Sequence, residues 1–508
     1  MKNKVIWAVA LSILIFGGFM GKMSQLKDNG IFYLKDIEGQ REYLNLFPIE
    51  GVAGDGTQGI IFRLEDGALS TKFYPFDSEQ VNNLFFAERE GIKGMEKYNY
   101  NYYNQDFRKG IFASTDSAPS KDAKIQHMDS FYEEIMDDMD FYGDEFVGGE
   151  TDIADKVDVY LDIWGMDFEG QARIRTGMTL QNQDQVYYYT RGDYEDGLTS
   201  FTHSFLNDGM QEVDGFCAEI GDAYYCMAIP SAEIYGMEIH GECQGDTSLF
   251  RIKQENMIEP PELDKEEELY QQREYGNAEV LCTFPVDENN RVLEAFAVGD
   301  HSLGIFRVQN ESLFFEIYDT EGNMIAQDLL TKEQGSKVDQ IEANVVAWNE
   351  NDVSIYFRTY QVVKDEDNYE RWEGIIDGMY QFDEKGLKRM HCYGDNGGKL
   401  LSVCRNNLIL DVSMVSDEQR QLPYYYGYQV YVSVINGDTG KILYRGKFET
   451  DYDEDLYKLF SPYNIAKDAP YLEEAMKAYN VDGIITQRQR QITNVLPING
   501  KVENVWWR

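Results

Sequence analysis

Apolar and polar residues alternate along most of the chain, the period-two signature of half-buried β-strands. The strand-like segments gather in fours, separated by turn residues. The clearest set spans 398–449: LLSVCR, NLILDVSMV, YQVYVSVIN and KILYRGKF, with Asn406 and Asn407 and then 436–440 as turns. The set before it reads VDQIEANVVAW, DVSIYFRTYQVV, GIIDGMYQF and GLKRMHCY. Before that come VLEAFAV, LGIFRV, LFFEIYD and NMIAQDLL. In all three the last hairpin turns at an acidic, glycine-containing tip, at 319–322, 383–386 and 437–440.

A recurring unit of four strands and roughly 45–60 residues is the mark of a β-propeller blade. One small sheet cannot bury both of its faces, so neighbours must stack around an axis. Less regular sets occupy 155–207 and 211–285, and a partial one occupies 49–113. IFYLKDIEGQREYLNLF and ITNVLPINGKVENVWW each read as a hairpin, and together they would complete one more blade from the two ends, leaving no open edge. The expectation is an all-β fold: a β-propeller of about seven blades, closed by both termini, with six or eight also fitting the pattern. Small helical insertions are expected at 124–139, where Ile125, Met128, Phe131, Tyr132, Ile135 and Met139 share a stripe, at 260–276, and at 469–480 behind an Asp468 cap.

At VINGDTGKILYRGKF the chain resembles the PQQ-like, or quinoprotein-like, propeller repeat. Asp438, Thr439, Gly440, Lys441, Ile442 and Leu443 follow that family's Asp-x-x-Thr-Gly-Lys turn and its apolar return strand, with Asn436 and Gly437 in place of the commoner start and Tyr444 in place of Trp. YDTEGNMIA at 318–326 is a looser copy. The resemblance covers a few short segments and implies propeller geometry, not quinone binding. The catalytic members use adjacent cysteines and a calcium site, and no two cysteines are adjacent here.

Location is read from the start of the chain. Lys2 and Lys4 precede VIWAVALSILIFGGFMG, an uncharged run of about 17 residues, or ~25 Å as a helix, at the lower limit for crossing a bilayer. The two lysines should stay cytoplasmic. Phe19 stands where a signal peptidase wants a small residue, so an uncleaved anchor over 1–24 is expected ahead of a cleaved signal. Residues 25–508 would then be an extracytoplasmic body at the cell membrane. The formal net charge of −44 repels nucleic acid and anionic lipid, so no nucleic-acid partner is expected. With 43% hydrophobic and 14% aromatic residues, the chain has enough apolar mass for a sizeable core, and the charge does not imply disorder.

Six cysteines are present. In GFCAEIGDAYYC, a two-residue turn at Gly221 and Asp222 sets Cys217 opposite Cys226 at a non-hydrogen-bonded pair, where Cα atoms approach to about 4.5 Å. That separation lies within disulfide range. A Cys217–Cys226 disulfide is expected, with two buried thiols as the alternative. The pairing of Cys243, Cys282, Cys392 and Cys404 is not readable.

Catalytic motifs are absent: there is no HExxH, GxSxG or CxxC, and His127, His203, His240, His301 and His391 are scattered. Arg191, Gly192 and Asp193 read as a turn. Asp451, Asp453 and Asp455 alternate as in a calcium loop, but Leu456 and Pro462 occupy the positions that need Gly and Glu. They are calcium candidates; no other cofactor is expected. The functional expectation is a non-catalytic, membrane-tethered body that binds an envelope protein or other macromolecule. The alternative is a cell-surface carbohydrate-binding protein or glycan-active enzyme, with the tyrosine clusters as sugar-stacking faces.

Overall fold

Alternating, β-branched and aromatic sequence gives strands throughout the structure, a computed structural model. It describes residues 32–54, 59–74, 80–81, 84–85, 111–128, 147–165, 170–194, 197–199, 204–206, 213–230, 243–259, 274–287, 289–364, 370–391, 398–416, 428–450 and 491–504. The chain forms two compact units, 1–96 with 379–381 and 389–501, and 97–378 with 382–388 and 502–508.

The first unit opens with β1 (Phe32–Gly39), a 3-10 turn (Arg41–Leu46), β2 (Ile49–Gly54), β3 (Gly59–Glu65) and β4 (Ala68–Tyr74). The second takes β5 (Ile111–Pro119), β6 (Ile125–Met128), β7 (Val147–Gly165), β8 (Gln171–Tyr194), β9 (Gly197–Thr199), β10 (Ser204–Leu206), β11 (Val213–Ile220), β12 (Ala223–Pro230), β13 (Cys243–Lys253) and β14 (Glu279–Val286). It continues with β15 (Asn290–Val298), β16 (Ser302–Gln309), β17 (Ser312–Asp319), β18 (Met324–Thr331), β19 (Gln340–Asn349), β20 (Asp352–Lys364), β21 (Glu370–Asp383) and β22 (Gly386–Met390). The first unit resumes with β23 (Gly398–Arg405), β24 (Leu408–Ser416), β25 (Tyr428–Asn436), β26 (Ile442–Thr450) and β27 (Gln491–Pro497), and β28 (Lys501–Asn504) belongs with the second.

Two sheets make the first unit, in strand order β1-β26-β25-β24-β23 and β27-β2-β3-β4. Alternation puts Phe32 and Leu34 of β1 inward, and Phe32 stacks on Phe448 of β26 with ring centroids 5.3 Å apart. Phe62 of β3 tilts against both at 5.2 Å, so one aromatic cluster joins the two sheets.

Three sheets make the second unit. The ten-stranded one follows β11-β12-β13-β8-β7-β5, with β14 paired to β13 and the short strands β6, β9 and β10 attached to β7 and β8. This path nearly closes into a barrel. Thr115 of β5 donates its hydroxyl hydrogen to the Val213 carbonyl of β11. Beside it, a Cβ on Gly215 would lie 2.8 Å from the Ala113 carbonyl carbon. Val157, Val159, Leu161 and Ile163 of β7, with Ile174, Met178 and Leu180 of β8, fill one side of this sheet together with Cys217, Cys226 and Phe250. The opposite face of β11 and β12 carries Phe216, Ile220, Tyr225 and Met227, which pack against Val292, Leu303 and Ile305 of the sheet β15-β16-β17-β18. Phe306 of that sheet reaches Phe357 of β22-β21-β20-β19-β28 at 5.1 Å.

The three regular four-strand sets form as expected, as β15–β18, β19–β22 and β23–β26. The rest differs. The two blades expected over 155–207 and 211–285 are one sheet, because β7 and β8 run 19 and 24 residues and carry bulges where turns were read. The described strands therefore gather in five sheets rather than seven blades.

The terminal hairpins do not form. Past Gly39 (φ +82°) the chain enters the 3-10 turn, and β1 instead extends the sheet of β23–β26. Past Pro497, β27 pairs with β2 while β28 pairs in the sheet of β19–β22. One sheet, β27-β2-β3-β4, does unite early and late segments. Residues 125–128, expected to open a helix, are strand β6 paired with β7. Of the helix expected at 260–276, the described end is not helical, since Tyr275 bridges to Arg173 of β8. Residues 260–273, the expected helix at 469–480, the rest of 129–139 and the apolar segment 1–24 lie outside the described residues. Among the described residues, no helix is long and apolar enough to cross a membrane.

Candidate functional site

Strand alternation buries not only apolar side chains but also a few charged ones, and these must be paired. On β17, Glu316 faces inward and is fully buried. Arg307, on the neighbouring β16, meets it with two hydrogen bonds, Nε to Oε2 at 2.8 Å and Nη2 to Oε1 at 2.9 Å. Tyr318 donates its hydroxyl at 2.6 Å and Gln327 its amide at 2.6 Å. Burial alone pushes the Glu316 carboxyl up, but these four donated bonds outweigh it and hold the group below its ordinary range. The Tyr318 hydroxyl is pushed up by burial and by the same carboxylate.

The next sheet repeats the device. Arg358 of β20 grips Asp377 of β21 at 2.9 and 2.8 Å, and each arginine follows a buried phenylalanine, Phe306 or Phe357. Sequence reading missed both pairs. The signal was there in the recurrence of Phe-Arg on one strand with a carboxylate on the next.

On the barrel-like sheet, the face of β7 and β8 opposite the apolar core holds a second polar group. The buried Asp158 carboxylate accepts hydrogen bonds from Ser120 at 2.6 Å and Thr179 at 3.2 Å, and it pairs with Arg175 at 2.7 Å. Arg173 pairs with Asp162 at 2.5 Å and lies over the Tyr160 ring, 4.6 Å from its centroid. Burial, followed by the nearby Asp158 charge, raises the Tyr160 hydroxyl. The three partners of Asp158 tie β7 and β8 to the segment at Ser120.

The cysteines are the reactive residue type most sharply positioned. Cys217 and Cys226 are direct register partners across the β11–β12 hairpin, whose turn has positive φ at Gly221 and not at Asp222, the type II′ pattern. Their sulfurs lie 2.8 Å apart as thiols, and the residues are 1% and 0% exposed. Burial, reinforced by the bond to Cys217, pushes the Cys226 thiol well up. Cys243 is raised by burial to about 12, and Cys282 reaches about 12 through burial and then the Glu316 charge.

Other residues singled out in the sequence fall as follows. Asp451, Asp453 and Asp455 lie outside the described residues, and so does Cys392. Among the described residues no group of three or more His, Cys, Asp or Glu is arranged to hold a metal ion. Arg191, Gly192 and Asp193 are not a turn but part of β8, paired to β7. The acidic tips do form. Asp319 accepts backbone bonds from Glu321 and Asn323 at 2.9 and 2.8 Å, Asp383 accepts one from Lys385 at 2.8 Å, and Asn436 caps its own turn through Asp438 and Thr439.

No family model matches the chain, and no curated protein matches it. Among solved structures it is similar to a point variant of an ACO/RPE65 chimera, at 8% identity and TM-score 0.27, over 83% of this chain and 93% of that one. It is also similar to prolyl oligopeptidase B from Galerina marginata, at 8% identity and TM-score 0.22, over 76% of this chain and 44% of that one.

Proposed function

We propose that this chain is a single-pass, membrane-tethered extracytoplasmic scaffold of β-propeller type that binds another envelope protein without chemistry. Residues 1–24 are the anchor and 25–508 the body. The observation that carries the reading is the succession of three four-strand meanders, β15–β18, β19–β22 and β23–β26, each with a side-chain-capped acidic tip between its third and fourth strands. The tip turns support the PQQ-like character of the repeat. A net charge of −44 selects a basic partner surface.

The alternative is a carbohydrate-binding protein or glycan-active enzyme of the cell surface. Tyr33, 43% exposed and donating to Glu449 at 2.5 Å beside Lys35, offers the kind of aromatic face with polar neighbours that stacks on sugars. Protease added to intact cells is expected to remove the body; a body cut only after lysis would overturn the tether. On a glycan array the full chain in detergent is expected to stay at background. Saturable, sugar-specific binding would instead select the alternative.

A further inference from the structure

We propose that Cys217 and Cys226 are joined by a disulfide that is installed while the β11–β12 hairpin is still open to solvent and is sealed once the barrel-like sheet closes. Three observations carry this. The pair is local and in register, nine residues apart around a tight turn, so it is complete as soon as the hairpin forms, on a time scale of microseconds. In the finished sheet both residues are buried, within the same apolar core as Tyr224, Ala228, Phe250 and Ile252. Exchange needs a path for the attacking sulfur, and this surrounding supplies none.

No other described cysteine competes. Cys226 pairs across to Phe250, whereas Cys243 lies seven positions along the same strand, about 23 Å away at ~3.3 Å per residue. Cys282 packs with the opposite face of the sheet.

The oxidant is a disulfide-bearing one. A thiolate of one cysteine attacks the oxidant's disulfide, forming a mixed disulfide and releasing one oxidant thiolate. The second cysteine, as thiolate, attacks the mixed disulfide at the first cysteine's sulfur, forming the Sγ–Sγ bond and releasing the second oxidant thiolate. The two protons lost by the cysteines end on the oxidant, which is reduced by two electrons to a dithiol.

The test uses the full chain isolated from its own membranes in detergent, quenched in acid, then alkylated in denaturant and digested. The expected product is a linked, unalkylated Cys217–Cys226 peptide. Dithiothreitol should reduce it at least about 100-fold more slowly in the native protein than in denaturant, since access requires opening the sheet. Alkylation of both cysteines, or equal reduction rates in the two conditions, would overturn the proposal. Either result is read independently of the protease experiment on the tether, so a failure of one is not a failure of the other.

Discussion

Arg307 and Glu316 meet edge to edge, two nitrogens on two oxygens at 2.8 and 2.9 Å, with the carboxylate wholly removed from water. Taking away one partner of such a pair leaves an uncompensated charge in the sheet. Glu316→Ala is therefore expected to destabilise the protein by about 3–5 kcal/mol. Asp377→Ala should cost less, because Asp377 and Arg358 keep side-chain exposures of 24% and 22% and water can replace the lost partner. Urea-unfolding midpoints of the two variants measure the order.

The same carboxylate sets an acid response. Its folded value lies below the ordinary 4.5, so its contribution is complete above about pH 4.5 and is lost as pH falls through the folded value. Wild-type stability should drop on acidification below pH 4.5. Glu316→Gln should lower stability at pH 7 and flatten this part of the profile, as followed by denaturation between pH 3 and 7.

Gly322 and Gly221 both have positive φ, +80° and +66°, but differ in what surrounds them. A Cβ at Gly322 would lie 2.8 Å from the Leu281 Cβ, whereas one at Gly221 would meet nothing within 4 Å. Gly221→Ala should thus cost only the backbone term, about 1 kcal/mol. Gly322→Ala should add a clash and reach about 2–4 kcal/mol. Thermal midpoints of the two variants check the difference.

Phe32 is expected to hold β1 in place. Phe32→Ala removes a ring that touches both Phe62 and Phe448, at a cost of about 3–5 kcal/mol. Loss of β1 would also bare the edge of β26, so the variant should aggregate sooner on mild heating, measured by light scattering.

Where each strand was short and ended at a turn, the sequence was legible to within a residue or two. VLEAFAV, LGIFRV, LFFEIYD and NMIAQDLL are β15 to β18 almost as written. Between 155 and 285 the same cues misled. Gly177 (φ +90°) and Gly245 (φ +116°) both lie inside strands, where β8 and β13 pass close: a Cβ on Gly245 would lie 2.3 Å from the Gly177 carbonyl oxygen. The chain bends at 498–499 as the C-terminal ING suggests, but nothing local shows that its two arms pair in different sheets. The facing of Cys217 and Cys226 followed from counting outward from one dipeptide. Arg307 faces Phe314 in register and reaches Glu316 on the diagonal, a contact that alternation alone does not mark and only the recurring Phe-Arg hints at.

The sheet β27-β2-β3-β4 has a consequence for biogenesis. A nascent chain presents β2 to its surroundings long before the ribosome reaches residue 491, and at ~5–20 residues per second the wait is roughly 20–90 s. Throughout that interval one flank of an apolar ribbon stays unpaired. A premature stop anywhere upstream of Gln491 leaves it so permanently, which makes truncated products of this chain natural substrates for chaperones and proteases.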